Sequence, residues 1–355
     1  MIKLDGSFGE GGGALVRIAL ALSTLTGKPF EITNIRKNRP KPGLKAQHLF
    51  CVKALKELCH AVTVGDELGS ERLVYEPHEI EFKNLNIDIG TAGSITLLLQ
   101  ALLPVAIFSD KKLHIKITGG TDALYAMPVD YFLSVLLPQL KKYAHIDSEM
   151  PKRGYYPAGG GQLNLKIYPK YSLSIINELK KENKRIELLE QGKLLLIKGV
   201  SHASKDLMKA EVAERQAKTA RYSLSKFNVP VKIESEYSET LSTGSGITIW
   251  AIFSIGDEIN FDNPVILGVD SLGEKNKKAE NVGLEAANNL TKEIESKAAA
   301  DYHLADQLLP FMAFFGGKIR TSAITEHCKT NISVIEKFLD VKFGIKENTI
   351  ETINI

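Results

Sequence analysis

Residues 28–56 carry eight lysines and arginines against a single acid, Glu31, in a chain whose net charge is only +3. Arg36 and Arg39 fall in the stretch IRKNRPKPG. Planar guanidinium groups on a Pro-stiffened loop suit bidentate contacts to phosphate. The alternative is a solvated basic face, but flexible charge needs no such Pro and Gly punctuation. A second candidate anion site is Gly9-Glu10-Gly11-Gly12-Gly13. Glycines at a helix start present bare N–H groups to an anion. The Glu10 carboxylate either complements the helix dipole or holds a divalent cation beside a phosphate. No GxxxxGK[ST] occurs, so any ATP would be bound without a P-loop. RGYYPAGGG, residues 153–161, demands unusual backbone geometry or close approach of another segment. Its default role is packing, with Arg153 as a further phosphate candidate.

Among eight histidines His327 differs, because TEHCKTN reads as a loop equivalent in position to the basic one. An imidazole among phosphate-binding groups can act as general base or nucleophile. By spacing alone His48 and His303 are equal candidates. Cys328 reads as a small buried hydrophobe rather than a nucleophile. Asp306-Gln307 heads the apolar helix LLPFMAFF, either as a cap or to hydrogen-bond a base edge. Gln100, isolated in LLLQALLP, must find a partner in the protein or in a ligand.

The elements that position these residues repeat. A Gly-led helix (ALVRIALALSTLTG), a strand (PFEIT), a loop and a helix (AQHLFCVKALKELC) recur as ITLLLQALLPVAIF, KLHIKIT, GGTDALYAMPVD and YFLSVLLPQLKKYA. A third copy runs LADQLLPFMAFFG, KIRTSAI, TEHCKT and NISVIEKFL. Pro104 and Pro138 should kink or shorten their helices. Between the second and third copies, KLLLIKGV, a helical KDLMKAEVAERQAKTARYSLSKF, VKIESEYS and GITIWAIFSI predict a small inserted α+β domain without a chemical motif. The expected division is therefore 1–185 plus 280–355 for the large domain and 186–279 for the insert. With 355 residues, 44% hydrophobic and 25% charged, the chain is neither disordered, collagenous nor a coiled coil. No run approaches the ~18 apolar residues of a membrane span. The start lacks signal architecture, so a cytoplasmic location is expected. Cys51, Cys59 and Cys328 are too few and scattered for a disulfide framework or a CxxC metal site.

Six segments, GEGGGALVR, IRKNRPKPGLKAQH, GTAGSITLLLQ, RGYYPAGGG, LADQLLPFMA and EHCKTNISVIEKF, resemble in the same order the RNA 3′-terminal phosphate cyclases. The likeness covers residues 1 to about 185 and 280–355. It implies an α+β fold of three units resembling the C-terminal domain of translation initiation factor 3, with a small insert. It also implies ATP-dependent conversion of an RNA 3′-terminal phosphate to a 2′,3′-cyclic phosphodiester. A histidine takes AMP from ATP, AMP passes to the RNA 3′-phosphate, and the 2′-OH displaces it. The resemblance assigns the nucleophile to His327 and a divalent cation, Mg²⁺ or Mn²⁺, to Glu10. It assigns Arg17, Gln100, Asp306 and Gln307 to the nucleotide pocket, with His303 and Pro128 as the two walls of an adenine slot. Some relatives carry Tyr where this chain has His303. Arg36, Arg39 and Gln47 are assigned to substrate phosphates, and RNA ending in a 3′-phosphate is the implied partner. One alternative is the family's non-catalytic branch, which binds RNA in ribosome assembly and lacks the catalytic residues. Another is an enolpyruvyl transferase-like protein, which would bind phosphates without being labelled by ATP.

Overall fold

The computed structural model describes residues 1–9, 11–173, 184–256 and 258–353. These residues form an α+β fold with four four-stranded sheets. The first unit runs β1 (Ile2–Asp5), α1 (Ala14–Thr26), β2 (Phe30–Thr33), α2 (Ala46–Cys59), β3 (Val62–Val64) and β4 (Leu73–Glu76). In its sheet β1 is parallel to β2, β2 antiparallel to β4 and β4 antiparallel to β3. The second unit repeats this pattern with β5 (Leu85–Asp88), α3 (Ile95–Ala106), β6 (Leu113–Gly119), α4 (129–140), β7 (Ala144–Lys152) and β8 (Gly161–Pro169). The third unit opens with β9 (Ile186–Leu188) and is then interrupted. The interruption contains β10 (Lys193–Ser204), α5 (Val212–Leu224), β11 (Val231–Ser238), β12 (Ser245–Ser254), β13 (Ile266–Leu272) and α6 (Ala279–Glu295). The unit resumes with α7 (Tyr302–Phe315), β14 (Gly317–Arg320), α8 (Glu326–Phe338), β15 (Lys342–Lys346) and β16 (Thr349–Ile353). Again one parallel pair, β9 with β14, is followed by two antiparallel ones.

The insert thus falls between the first strand and the first helix of the third unit. Its sheet has the order β11-β10-β12-β13, and α5 and α6 pack against it. Since β9 belongs to the third sheet and α6 packs against α5, β12 and β13, we propose 193–295 as the inserted domain rather than 186–279.

Local chemistry explains the helices that matter for the site. α1 is apolar on nearly every side, Arg17 being its one charge, because it is buried from Ala14 to Leu25, packed by α2, α3 and α8. It ends at Gly27 in the left-handed conformation. The Ser94 hydroxyl caps α3 by accepting from the Leu97 N–H at 3.2 Å. Pro104 falls in the last turn of α3, where its missing N–H costs one i→i−4 bond just before the helix ends at Ala106. Pro138 follows a π-turn at Phe132–Leu136 that widens the middle of α4. No described helix is long and apolar enough to cross a membrane.

Candidate active site

Helices from all three units, α1, α3, α7 and α8, surround a cavity of about 410 Å³, and the insert supplies one wall. Arg17, Gln100, His303, Asp306, Gln307 and His327 line it. Arg17 is only 6% exposed, and its Nε donates to Gln100 Oε1 at 2.7 Å. Gln100 Nε2 donates to Gln307 Oε1 at 2.9 Å, and Gln307 Nε2 donates to Asp306 Oδ1. This relay joins α1, α3 and α7, one helix from each unit, so the isolated Gln100 finds its partners in the protein. Asn331 Nδ2 donates to the Asp306 carbonyl at 3.2 Å and ties α8 to α7. Burial pushes the Arg17 guanidinium below its ordinary pKa, opposed by the neighbouring Cys51 and Asp306. The Asp306 charge reaches Arg17 without forming a salt bridge to it among the described residues, and a cation this deeply buried favours an anionic ligand.

His327 corrects the loop expected at TEHCKT, because it lies in the first turn of α8. The Thr325 hydroxyl caps that turn by accepting from the Cys328 N–H at 3.1 Å. A helix start carries a partial positive charge, favourable to phosphate beside the imidazole. His303 occupies the first turn of α7, which Asp301 caps by accepting from the His303 and Leu304 N–H groups at 3.0 and 2.9 Å. The other oxygen of Asp301 accepts from the Gly268 N–H of β13 at 2.9 Å. Burial pushes the His303 imidazole down; Asp301 opposes this and His327 adds to it, so the two histidines sense each other.

The remaining expected residues that the structure describes lie outside the lining. Pro128 caps α4 next to Met127, which does line the cavity. Arg36 adopts φ 57° and borders the Arg17 end, close enough to lower the Arg17 pKa. Arg39 lies beside Gly12, where an added Cβ would sit 3.5 Å from its Nη2. The Gln47 carbonyl accepts from Cys51 Sγ at 3.2 Å. Glu10 lies outside the described residues.

His48 is fully buried away from the cavity, against Gly13, where an added Cβ would fall 2.0 Å from Nε2. Its Nδ1 accepts from the Lys45 N–H at 3.0 Å, and burial with nearby Arg17 pushes its pKa down to about 3. A permanently neutral support of the glycine cluster results. Burial pushes the Cys328 thiol up to about 11, as suits a small hydrophobe.

Arg153 is no phosphate ligand. It is 2% exposed and ion-paired to Asp130 at 2.8 Å, Asp122 at 3.4 Å and Glu236 at 2.5 Å. Asp122 also meets His202 Nε2 at 3.2 Å, and His202 Nδ1 pairs with the Tyr155 hydroxyl at 2.7 Å. These contacts fasten the second unit to β10 and β11 of the insert. Asp122, Asp130 and His202 form the one candidate metal-ligating group among the described residues, but the Arg153 guanidinium already neutralises it. Gly159, at φ 72°, lies so near Thr91 that a Cβ would be 2.4 Å from its carbonyl oxygen, which accounts for part of the glycine run.

The insert wall was not foreseen. Asp270, Ser271, Lys277 and Glu285 line the cavity, and the available signal was an acid within the apolar strand ILGVDSL.

The chain matches the family model for RNA 3′-terminal phosphate cyclase over residues 8–345. A relative with that name from Saccharolobus islandicus (strain L.S.2.15) is 45% identical over 349 residues, covering 97% of this chain and 96% of the relative. Those from Pyrococcus abyssi and Pyrococcus furiosus are 44% and 43% identical, covering 97% and 98% of this chain and 95% of each relative. With a family match and relatives that span nearly its full length, the chain belongs to the RNA 3′-terminal phosphate cyclase family of enzymes.

Proposed function

We propose that this enzyme uses ATP to convert an RNA 3′-terminal phosphate into a 2′,3′-cyclic phosphodiester through a covalent AMP adduct on His327. The observation that carries this reading is the convergence of Arg17, Gln100, Asp306, Gln307 and both histidines on one cavity from three separate units. Arg17 receives the nucleotide phosphates, held by the relay through Gln100. The His327 imidazole attacks the α-phosphorus, an N–P bond forms, and the bond to the pyrophosphate oxygen breaks. An oxygen of the RNA 3′-phosphate then attacks the same phosphorus and the imidazole leaves. Finally the 2′-OH attacks the 3′-phosphorus, loses its proton and expels AMP, aided by its proximity. Arg36 and Arg39, on the loop bordering Arg17, bind the RNA end, with Gln47 beside them. His303 and Pro128 flank the adenine. A divalent cation would offset triphosphate charge. Glu10 is its expected ligand, and no step above depends on it.

The test is incubation with ATP labelled at the α-phosphate, without RNA. An acid-labile, alkali-stable adduct that maps to His327 and vanishes in His327→Ala supports the mechanism. An adduct on another residue moves the nucleophile. Absence of both adduct and ATP binding points to the non-catalytic RNA-binding branch.

A further inference from the structure

One face of β13 is pressed against the large domain. At Gly268 an added Cβ would sit 2.6 Å from Val135 Cγ2 and 2.7 Å from Tyr131 Cε2. Side chains alternate along a strand, so Asp270, two residues on, shares that face and borders the cavity. Three other carboxylates of the lining are engaged or solvated. Glu285 pairs with Lys277 and accepts from the Ser271 hydroxyl at 3.1 Å, Asp306 is hydrogen-bonded by Gln307, and Glu274 is exposed on a turn. Among the described residues none hydrogen-bonds or ion-pairs with the Asp270 side chain. Burial, reinforced by Asp122, Glu285 and Asp301, pushes its carboxyl up to about 7.

The cavity thus carries two kinds of group: the buried Arg17 guanidinium on α1, with Arg36 near it, and the unpartnered Asp270 carboxyl on β13. A nucleoside triphosphate offers a counterpart to each, its phosphates for the cation and hydrogen-bond donors on its base for the acceptor. We propose that Asp270 is a specificity residue of this site, its carboxyl accepting a hydrogen bond from the exocyclic amino group of adenine. This rests on the ATP site proposed above. It gives the insert a part in nucleotide recognition, since an unmade bond to such a desolvated carboxyl penalises bases without the amino donor.

The test is a cycle between residue and ligand in the His327→Ala background, where no adduct forms. Titration calorimetry compares ATP, purine riboside triphosphate (which lacks the amino group) and 2′-deoxy-ATP. With Asp270 present and at pH 8.5, where a carboxyl titrating near 7 is ionised, removing the amino group should weaken binding roughly 10- to 100-fold, the range of a hydrogen bond to a charged group. Asp270→Ala should bind ATP and purine riboside triphosphate alike. Asp270→Asn, which keeps an acceptor, should preserve the preference and shows that the site still folds. Equal loss of both ligands in Asp270→Ala, or unchanged ATP binding, overturns the assignment. Altered discrimination against 2′-deoxy-ATP instead would mean the carboxyl reads the ribose. If the parent protein with Asp270 intact binds no ATP, the proposed function itself fails, and this inference with it.

Discussion

Replacing Gln100 by Leu cuts the relay at its centre while nearly keeping side-chain volume. Two bonds are lost, the one from buried Arg17 at 2.7 Å and the one to Gln307 at 2.9 Å. A hydrogen bond to a charged group contributes about 1.5–3 kcal/mol and a neutral one about 0.5–1.5 kcal/mol. Leucine restores some apolar contact, so the net destabilisation expected is about 2–4 kcal/mol. Urea unfolding followed by far-UV circular dichroism measures it. ATP affinity should fall at least tenfold, because the guanidinium is no longer aimed. Gln100→Glu separates the two effects. Its carboxylate still accepts from Arg17, so stability should stay within ~1 kcal/mol of wild type, as one charged bond replaces two. Its charge neutralises the guanidinium, so ATP binding should nonetheless drop by tenfold or more. A Gln100→Leu protein as stable as wild type would refute the energetic role of the relay. A Gln100→Glu protein that binds ATP normally would remove Arg17 from phosphate binding.

Two further outcomes are expected. Arg153→Met strands Asp122, Asp130 and Glu236 without their shared cation, and breaking a buried pair costs roughly 3–5 kcal/mol; limited proteolysis should then cut between the second unit and the insert at urea concentrations that leave wild type intact. His48 is neutral in the fold, with its pKa near 3, but takes a proton in the unfolded chain below about 6.5. Its contribution is lost as pH falls below that value, amounting to about 2 kcal/mol by pH 5. His48→Asn, which keeps an acceptor for the Lys45 N–H, should remove that part of the acid sensitivity in unfolding curves at pH 5 and 7.5.

The periodic segments were legible because local pattern and burial agree. α2 spans the predicted AQHLFCVKALKELC, and the apolar runs after the glycines became α1 and α3. The turn at His327 was misread as a loop, although Thr325 three residues before Cys328 is an N-cap signal that polar composition obscured. β13 escaped notice because Gly268 interrupts its apolar run, and that glycine answers to Tyr131 in a different domain. Arg153 looked like a phosphate ligand because its three carboxylates come from Asp122, Asp130 and Glu236, a juxtaposition made only by folding. The choice among His48, His303 and His327 had the same limit. Burial against Gly13 sets His48 apart, and nothing in its sequence neighbourhood announces that.

The interruption of the third unit also sets an order of assembly during synthesis. β1 to β8 are translated consecutively and can pair as they emerge, whereas β9 must wait through the entire insert before β14 exists. Translation at ~5–20 residues per second makes that wait several seconds or more. α8, which brings His327 to the cavity, is the last of its helices to be made. Arg17 therefore spends most of translation without its histidine. On the mechanism proposed above, a nascent chain, or one truncated before the third unit closes, would lack the histidine to charge with AMP, and nucleotide consumption would begin only with the finished fold.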